Sequence, residues 1–211
     1  MSQWLQLLEK NRAIAIIRCS EINLARHMAH AVAKGGMNLI EITWNSDRPG
    51  DLIKELRRDL PHCNIGVGTI LNVSQLNDAV VAGAQFAFSP HFEQNLLKLA
   101  LDNYEIPYVP GTFSPSEIIQ AWQQGVTAVK VFPIKSLGGI EYIRCLQGPL
   151  NQIPMIPTGG VTLENAPLMI KAGAISVGIS SGLFSDQGTI NQDWKNITTK
   201  TKKLLHELHC L

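Results

Sequence analysis

Eight short apolar runs alternate with amphipathic segments along the whole of this 211-residue chain, and that alternation limits the possible folds more than any other feature. The runs cover residues 13–18, 38–43, 65–69, 86–89, 107–110, 128–132, 155–158 and 174–179. They are continuously apolar rather than strictly alternating, which predicts strands covered on both faces in a parallel sheet. Between them, Leu24, Met28, Ala31 and Val32 share one helical face, and Leu52, Ile53, Leu56 and Leu60 form a second apolar stripe. Ser114-Pro115-Ser116-Glu117 is a capping box with proline at the first helical position. Glycines in Lys34-Gly35-Gly36, Ala82-Gly83, Gln124-Gly125 and Ala172-Gly173 fall where a helix ends in a left-handed cap. Their spacing matches one βα unit of roughly 24 residues or a multiple of it.

Eight strand–helix units with right-handed crossovers predict an α/β fold: a (β/α)8 TIM barrel, one domain over residues 1–211. An extra helix at about residues 2–10 should cover the barrel bottom, and 191–209 should be the closing helix. An open doubly wound sheet is the alternative, but no G-x-G-x-x-G follows the first strand.

Composition narrows the partners. A net charge of +1 gives no reason to expect nucleic acid or an anionic membrane surface. No apolar run approaches the ~20 residues of a membrane span, and the first residues do not resemble a signal peptide. Cys19, Cys63, Cys145 and Cys210 are scattered, as suits reduced thiols in the cytoplasm. His206, His209 and Cys210 lie on a terminus and make a poor metal cage.

In a barrel the carboxyl ends of the strands build the active site. Here those ends carry Arg18, Glu41 with Thr43, Thr69, Ser89 with Pro90, Pro110, Lys130, Thr158 and the stretch Gly178–Ser181. Lys130 stands inside the apolar run Ala128–Pro133. Burial disfavours an ammonium, moving its pKa down from about 10.4. A lysine brought towards ~7–8 can attack a carbonyl and form a Schiff base. The alternative is a strand-end lysine that snorkels to water. Glu41, within Leu39–Thr43, either faces inward towards Lys130 or forms a structural ion pair with Lys130 or Arg18. Pro157-Thr158-Gly159-Gly160-Val161 and Gly178–Gly182 follow the last two strands, where barrels bind phosphate. Their glycines allow close backbone approach to an anion, and tight βα turns are the other explanation. Lys135 lies past Pro133 as a solvated lysine or a helper for anions. His91 is a loop histidine without a metal partner.

Taken in order, AIIRCS, GGMNLIEIT, IGVGTILN, GAQFAFSPHF, VPGTFSPSE, VKVFP, PTGGV and SVGISSGLF resemble the class I 2-keto-3-deoxy-6-phosphogluconate aldolase family. That family includes 4-hydroxy-2-oxoglutarate aldolase activity and the related phosphogalactonate aldolases. The likeness runs from Ile14 to about Phe184. It implies a Schiff-base lyase with Lys130 as nucleophile and Glu41 as general acid/base. Arg18 helps hold the site, and Thr69 contacts pyruvate. Pro90 and Phe132 line the pocket. Thr158, Gly159, Gly160 and Ser181 bind the phosphate. Its implied partners are a phosphorylated keto acid and pyruvate, with neither metal nor cofactor, in a homotrimer. Asn45 stands where many members carry an arginine for the keto-acid carboxylate. The phosphogalactonate branch often has Asn-Ser there, whereas Pro157–Gly160 resembles the phosphogluconate branch, so the preferred C4 configuration stays open. Two rivals from other classes are a phosphosugar isomerase, which would not need Lys130, and a non-catalytic sugar-phosphate sensor.

Overall fold

The computed structural model describes residues 2–184 and 192–211. Its strands are β1 (Ala13–Ile17), β2 (Leu39–Thr43), β3 (Asn64–Gly68), β4 (Ala87–Phe88), β5 (Tyr108–Val109), β6 (Gly111–Thr112), β7 (Val129–Val131), β8 (Met155–Pro157) and β9 (Val177–Ile179). All the pairings between them are parallel. The helices are α1 (Gln3–Asn11), α2 (Ile22–Lys34), α3 (Pro49–Asp59), α4 (Val73–Val81), α5 (Gln94–Lys98), α6 (Pro115–Gln123), α7 (Ile140–Leu150), α8 (Ala166–Lys171) and α9 (Trp194–His209). A π turn follows α5 at Leu99–Asn103, and a 3-10 turn follows β7 at Ile134–Leu137. Among the described residues no helix is long and apolar enough to cross a membrane.

Each of the eight expected runs contains a strand. The run at 107–110 is the exception in form, because it stops at Val109 and pairing resumes at Gly111. Pro110 has no N–H to give to a ladder, so β5 stops before it, and β6 lies just beyond the expected run. Its carbonyl still accepts from the Lys130 amide at 2.9 Å. The strands form a curled parallel arrangement of two sheets, β5-β4-β3-β2-β1-β9 and β6-β7-β8. Two hydrogen-bonded links run between β8 and β9: a parallel bridge from Thr158 to Gly178, and Ile175 N–H to the Met155 carbonyl at 3.1 Å.

Sequence chemistry sets the helix ends. Ser2 Oγ accepts from the Leu5 amide at 3.3 Å and starts α1 close to the expected residues 2–10. Ser114 and Glu117 form the expected capping box. Gly36, Gly83, Gly125 and Gly173 all have positive φ, as the helix-ending reading required. The closing helix α9 begins at Trp194, and residue 191 lies outside the described residues. Thr198 Oγ1 on α9 donates to the Ala31 carbonyl on α2 at 3.0 Å.

The core divides by strand parity. Successive side chains point to opposite faces of a sheet. One set packs outward under the helices. The other set, Ile14, Leu39, Phe86, Phe88, Val109, Ala128 and Ile156, packs inside the curl with Trp4 and Leu8 of α1. The extra N-terminal helix therefore plugs the end where the strands begin. Two or four residues further along the same faces stand Ile16, Arg18, Glu41, Pro90, Lys130 and Thr158, so the parity that fills the plug also fixes what faces the other end.

Candidate active site

Beyond the plug, the strand ends enclose a cavity of about 280 Å³. Ten of the eleven residues given roles by the family resemblance line it: Arg18, Glu41, Thr69, Pro90, Lys130, Phe132, Thr158, Gly159, Gly160 and Ser181. Asn45 does not. It lies on an exposed turn after β2, outside the cavity, so the expectation that it touches substrate has no support in this geometry. Ser46 anchors that turn instead. Its Oγ lies 3.0 Å from Thr43 Oγ1 and accepts from the Cys19 amide at 3.2 Å. Val161 of the expected loop also lines the cavity, as does Ile16, which the strand-end reading does not reach. Ile16 could have been found by counting back two residues from Arg18.

Lys130 is 5% exposed on β7. Its Nζ sits 4.9 Å from the Phe132 ring centre and 5.9 Å from that of Phe88. A snorkelling lysine would reach bulk water, and this one does not. Burial pushes its pKa below the ordinary lysine value, and the Arg18 charge pushes the same way. The Glu41 carboxylate opposes both. Glu41 is 1% exposed, and neither carboxylate oxygen has a hydrogen-bond partner among the described residues. It feels Lys130 and Arg18 through space and hydrogen-bonds neither, so the structural ion pair lacks its contact. Burial raises the Glu41 pKa, while Lys130 and Arg18 hold it down. Gly68 makes the space: a Cβ there would overlap the Glu41 carboxylate.

Two features mark the neighbourhood as built around something other than packing. Thr69, a β-branched residue, has φ 58°, a costly conformation that needs support from its surroundings. The second feature is the loop after β8. Ile134 N–H donates to the Thr158 carbonyl at 2.9 Å, and Lys135 N–H donates to the Gly159 carbonyl at 3.0 Å. In a trans peptide the N–H points opposite to the C=O. The amides of Gly159 and Gly160 therefore point away from the turn that carries Lys135. Neither they nor the amides of Ser180 and Ser181 donate to another main-chain carbonyl among the described residues. Four lining residues with amides to offer suit an anion.

The remaining candidates stand apart. The Lys135 main chain braces the Gly159 loop, while its side chain is exposed. His91 borders a neighbouring depression, and its carbonyl accepts from Ser89 Oγ. His209 Nε2 contacts the Lys10 carbonyl at 2.9 Å. Among the described residues no group of three or more His, Cys, Asp or Glu side chains could hold a metal ion.

The family model described as KDPG and KHG aldolase matches residues 5–200. The chain belongs to the KDPG and KHG aldolase family. It is 33% identical over 159 residues to the KHG/KDPG aldolase of Escherichia coli K12, covering 75% of this chain and 74% of that one. Among solved structures it resembles the KDPG aldolase of Legionella pneumophila, in which pyruvate was captured at low pH as a covalent carbinolamine. The TM-score is 0.87 and the identity 29%, over 96% of this chain and 98% of that one. It also resembles a native KDPGal structure, with TM-score 0.84 and 26% identity over 93% and 94% of the two chains.

Proposed function

We propose that this aldolase-family chain is a class I carbon–carbon lyase that cleaves 2-keto-3-deoxy-6-phosphogluconate to pyruvate and glyceraldehyde 3-phosphate. 4-Hydroxy-2-oxoglutarate, giving pyruvate and glyoxylate, is its second substrate. The observation that carries this reading is a buried Lys130 at a cavity wall, beside a buried Glu41 that hydrogen-bonds nothing.

The neutral Lys130 amine attacks the C2 ketone, and the resulting carbinolamine loses water to give an iminium. Glu41 takes the proton of the C4 hydroxyl, directly or through a water. The C3–C4 bond breaks, its electrons pass into the iminium, and the aldehyde leaves. Glu41 returns a proton to C3 of the enamine, and water hydrolyses the imine to free pyruvate. The iminium supplies the electron sink, so the route needs neither metal nor cofactor. Arg18 and Thr69 hold the keto acid, and Pro90 and Phe132 wall it in. The amides of Gly159 and Gly160 take the phosphate, with Thr158 and Ser181 beside them.

The fold that serves this chemistry is one closed (β/α)8 barrel domain. The single residue Pro110 between β5 and β6 and the links between β8 and β9 support closure on both sides. We infer a homotrimer in the cytoplasm. The trimer follows from the family resemblance, and the free thiols of the four scattered cysteines suit a reducing compartment. A second reading is the phosphogalactonate-derived substrate, favoured by Asn45-Ser46 and by the likeness to the KDPGal structure.

Steady-state cleavage of the gluconate-derived acid, its C4 epimer and 4-hydroxy-2-oxoglutarate tests these readings together. We expect pyruvate from all three, with the phosphorylated acids far ahead. With Asn45 outside the cavity and no arginine at that position, discrimination between the epimers should be weak. No pyruvate from any of them would leave the isomerase and sensor readings standing in place of the lyase.

A further inference from the structure

Phe88 links the plug to the cavity. Phe88 is 1% exposed at the end of β4, and its ring lies 5.9 Å from Lys130 Nζ and 5.8 Å from the Phe86 ring. Phe86 packs in turn on Trp4 of α1 at 5.1 Å, and Trp4 meets Phe88 edge-on at 6.5 Å. Gly66 on β3 leaves the room, since a Cβ there would overlap the Phe86 ring. A continuous aromatic column therefore rises from the N-terminal helix to the floor beneath Lys130, while Phe132 stands 4.9 Å from the same nitrogen.

We propose that Phe88 is a positioning residue, which with Phe132 brackets Lys130 Nζ and, braced by Phe86 and Trp4, keeps it turned to the cavity on a dry floor. The inference rests on Lys130 being the nucleophile. Phe88 acts on it in two opposed ways. Its ring face attracts the ammonium, which favours the protonated lysine. Its bulk excludes water from beneath the amine, which favours the neutral one. The charged groups that face Lys130 are Glu41 and Arg18, and substitution at Phe88 leaves both in place.

The two actions separate in two variants. Phe88→Leu keeps an apolar floor and withdraws the ring face. Phe88→Ala opens a hole beside a cavity that already admits solvent, and water there restores the charged form. The experiment traps the pyruvate imine with cyanoborohydride as a function of pH and reads the adduct by intact mass. For Phe88→Leu the midpoint should fall by about half a pH unit, the scale of a partly desolvated ring–cation contact. For Phe88→Ala it should rise by at least as much, and the plateau of trapping should drop because the amine is no longer held. Midpoints that stay with the wild type, or that move in the same direction in both variants, would overturn the proposal. Should Phe88→Ala fail to fold, Phe88→Leu and Phe88→Met decide alone, and both must shift downward. Absence of any adduct on the wild-type protein would instead refute the nucleophile reading itself, so the two failures are distinct.

Discussion

The two ends of the curled sheet are made from the same strands and have opposite chemistry. Where the strands begin, Ile14, Leu39, Ala128 and Ile156 meet Trp4 and Leu8 in an apolar layer with almost no solvent exposure. Two residues further along the same faces stand Ile16, Glu41, Lys130 and Thr158 around an open cavity. The plug layer contributes burial worth roughly 1.5–3 kcal/mol for each large side chain. The cavity layer carries a buried lysine, a glutamate with two unpartnered carboxyl oxygens and a threonine in the left-handed region. Each of those opposes folding. The contrast teaches that one end of the strands supplies stability to an end that is destabilised for the sake of chemistry.

Substitutions can break that contrast, and the largest effect should come from Lys130. Lys130→Met should lower cleavage by roughly 10⁴-fold or more, as removal of a nucleophile does elsewhere. The same change should leave thermal stability equal or higher, because the cost of burying the charge disappears. A variant that keeps substantial lyase activity would remove Lys130 from the mechanism.

Glu41→Gln comes next. General acid–base groups contribute roughly 10²–10⁴-fold, and exchange of pyruvate methyl protons into deuterated water measures the loss directly. The Glu41 charge holds the Lys130 pKa up, so its removal should move the acid limb of imine formation to lower pH. Stability follows the opposite sign from an ordinary paired carboxylate. Glu41 titrates above its unfolded value, so the burial cost is absent below that value and grows as pH rises through the raised one. Above the raised pKa the glutamine variant should therefore be the more stable of the two, an advantage that vanishes in acid. Wild-type exchange in the variant would make Glu41 structural.

The phosphate loops should matter less per residue. We expect the phosphorylated acids to exceed 4-hydroxy-2-oxoglutarate in kcat/KM by roughly 10²-fold, from charge-assisted hydrogen bonds remote from the breaking bond. Ser181→Ala should narrow that gap with little change for the smaller substrate. Equal efficiency with and without phosphate would dissociate the glycine loops from substrate binding. The smallest catalytic effect belongs to the plug residues outside the aromatic column. Leu8→Ala should cost about 2–5 kcal/mol in denaturant unfolding, as buried leucine truncations do. It should change kcat per folded molecule very little, and a large kcat loss at full folding would show that the two ends are not separable in this way.

Much of this was legible in the sequence because strand-end positions and apolar runs are local signals. Lys130 and Glu41 interrupt such runs, and the glycine pairs after the last two strands punctuate them. What escaped depends on parity or on space. Ile16 and Phe88 look like ordinary core residues until two-residue steps bring them beside Arg18 and Lys130. Gly68 looks like a strand weakness, and its reason is a carboxylate on the neighbouring strand. Pro110 has the apolar look of a strand residue, and its missing amide ends β5 before it. Asn45 has its place in a motif, and the turn that anchors Ser46 leaves it outside the cavity.

Everything above turns on Lys130, and no other amine, forming the imine. Borohydride reduction in the presence of pyruvate, followed by peptide mapping, reads that bond. Activity should be lost, with one reduced pyruvyl group on the peptide that carries Lys130. A label on Lys135 instead, or no label with activity retained, would contradict it.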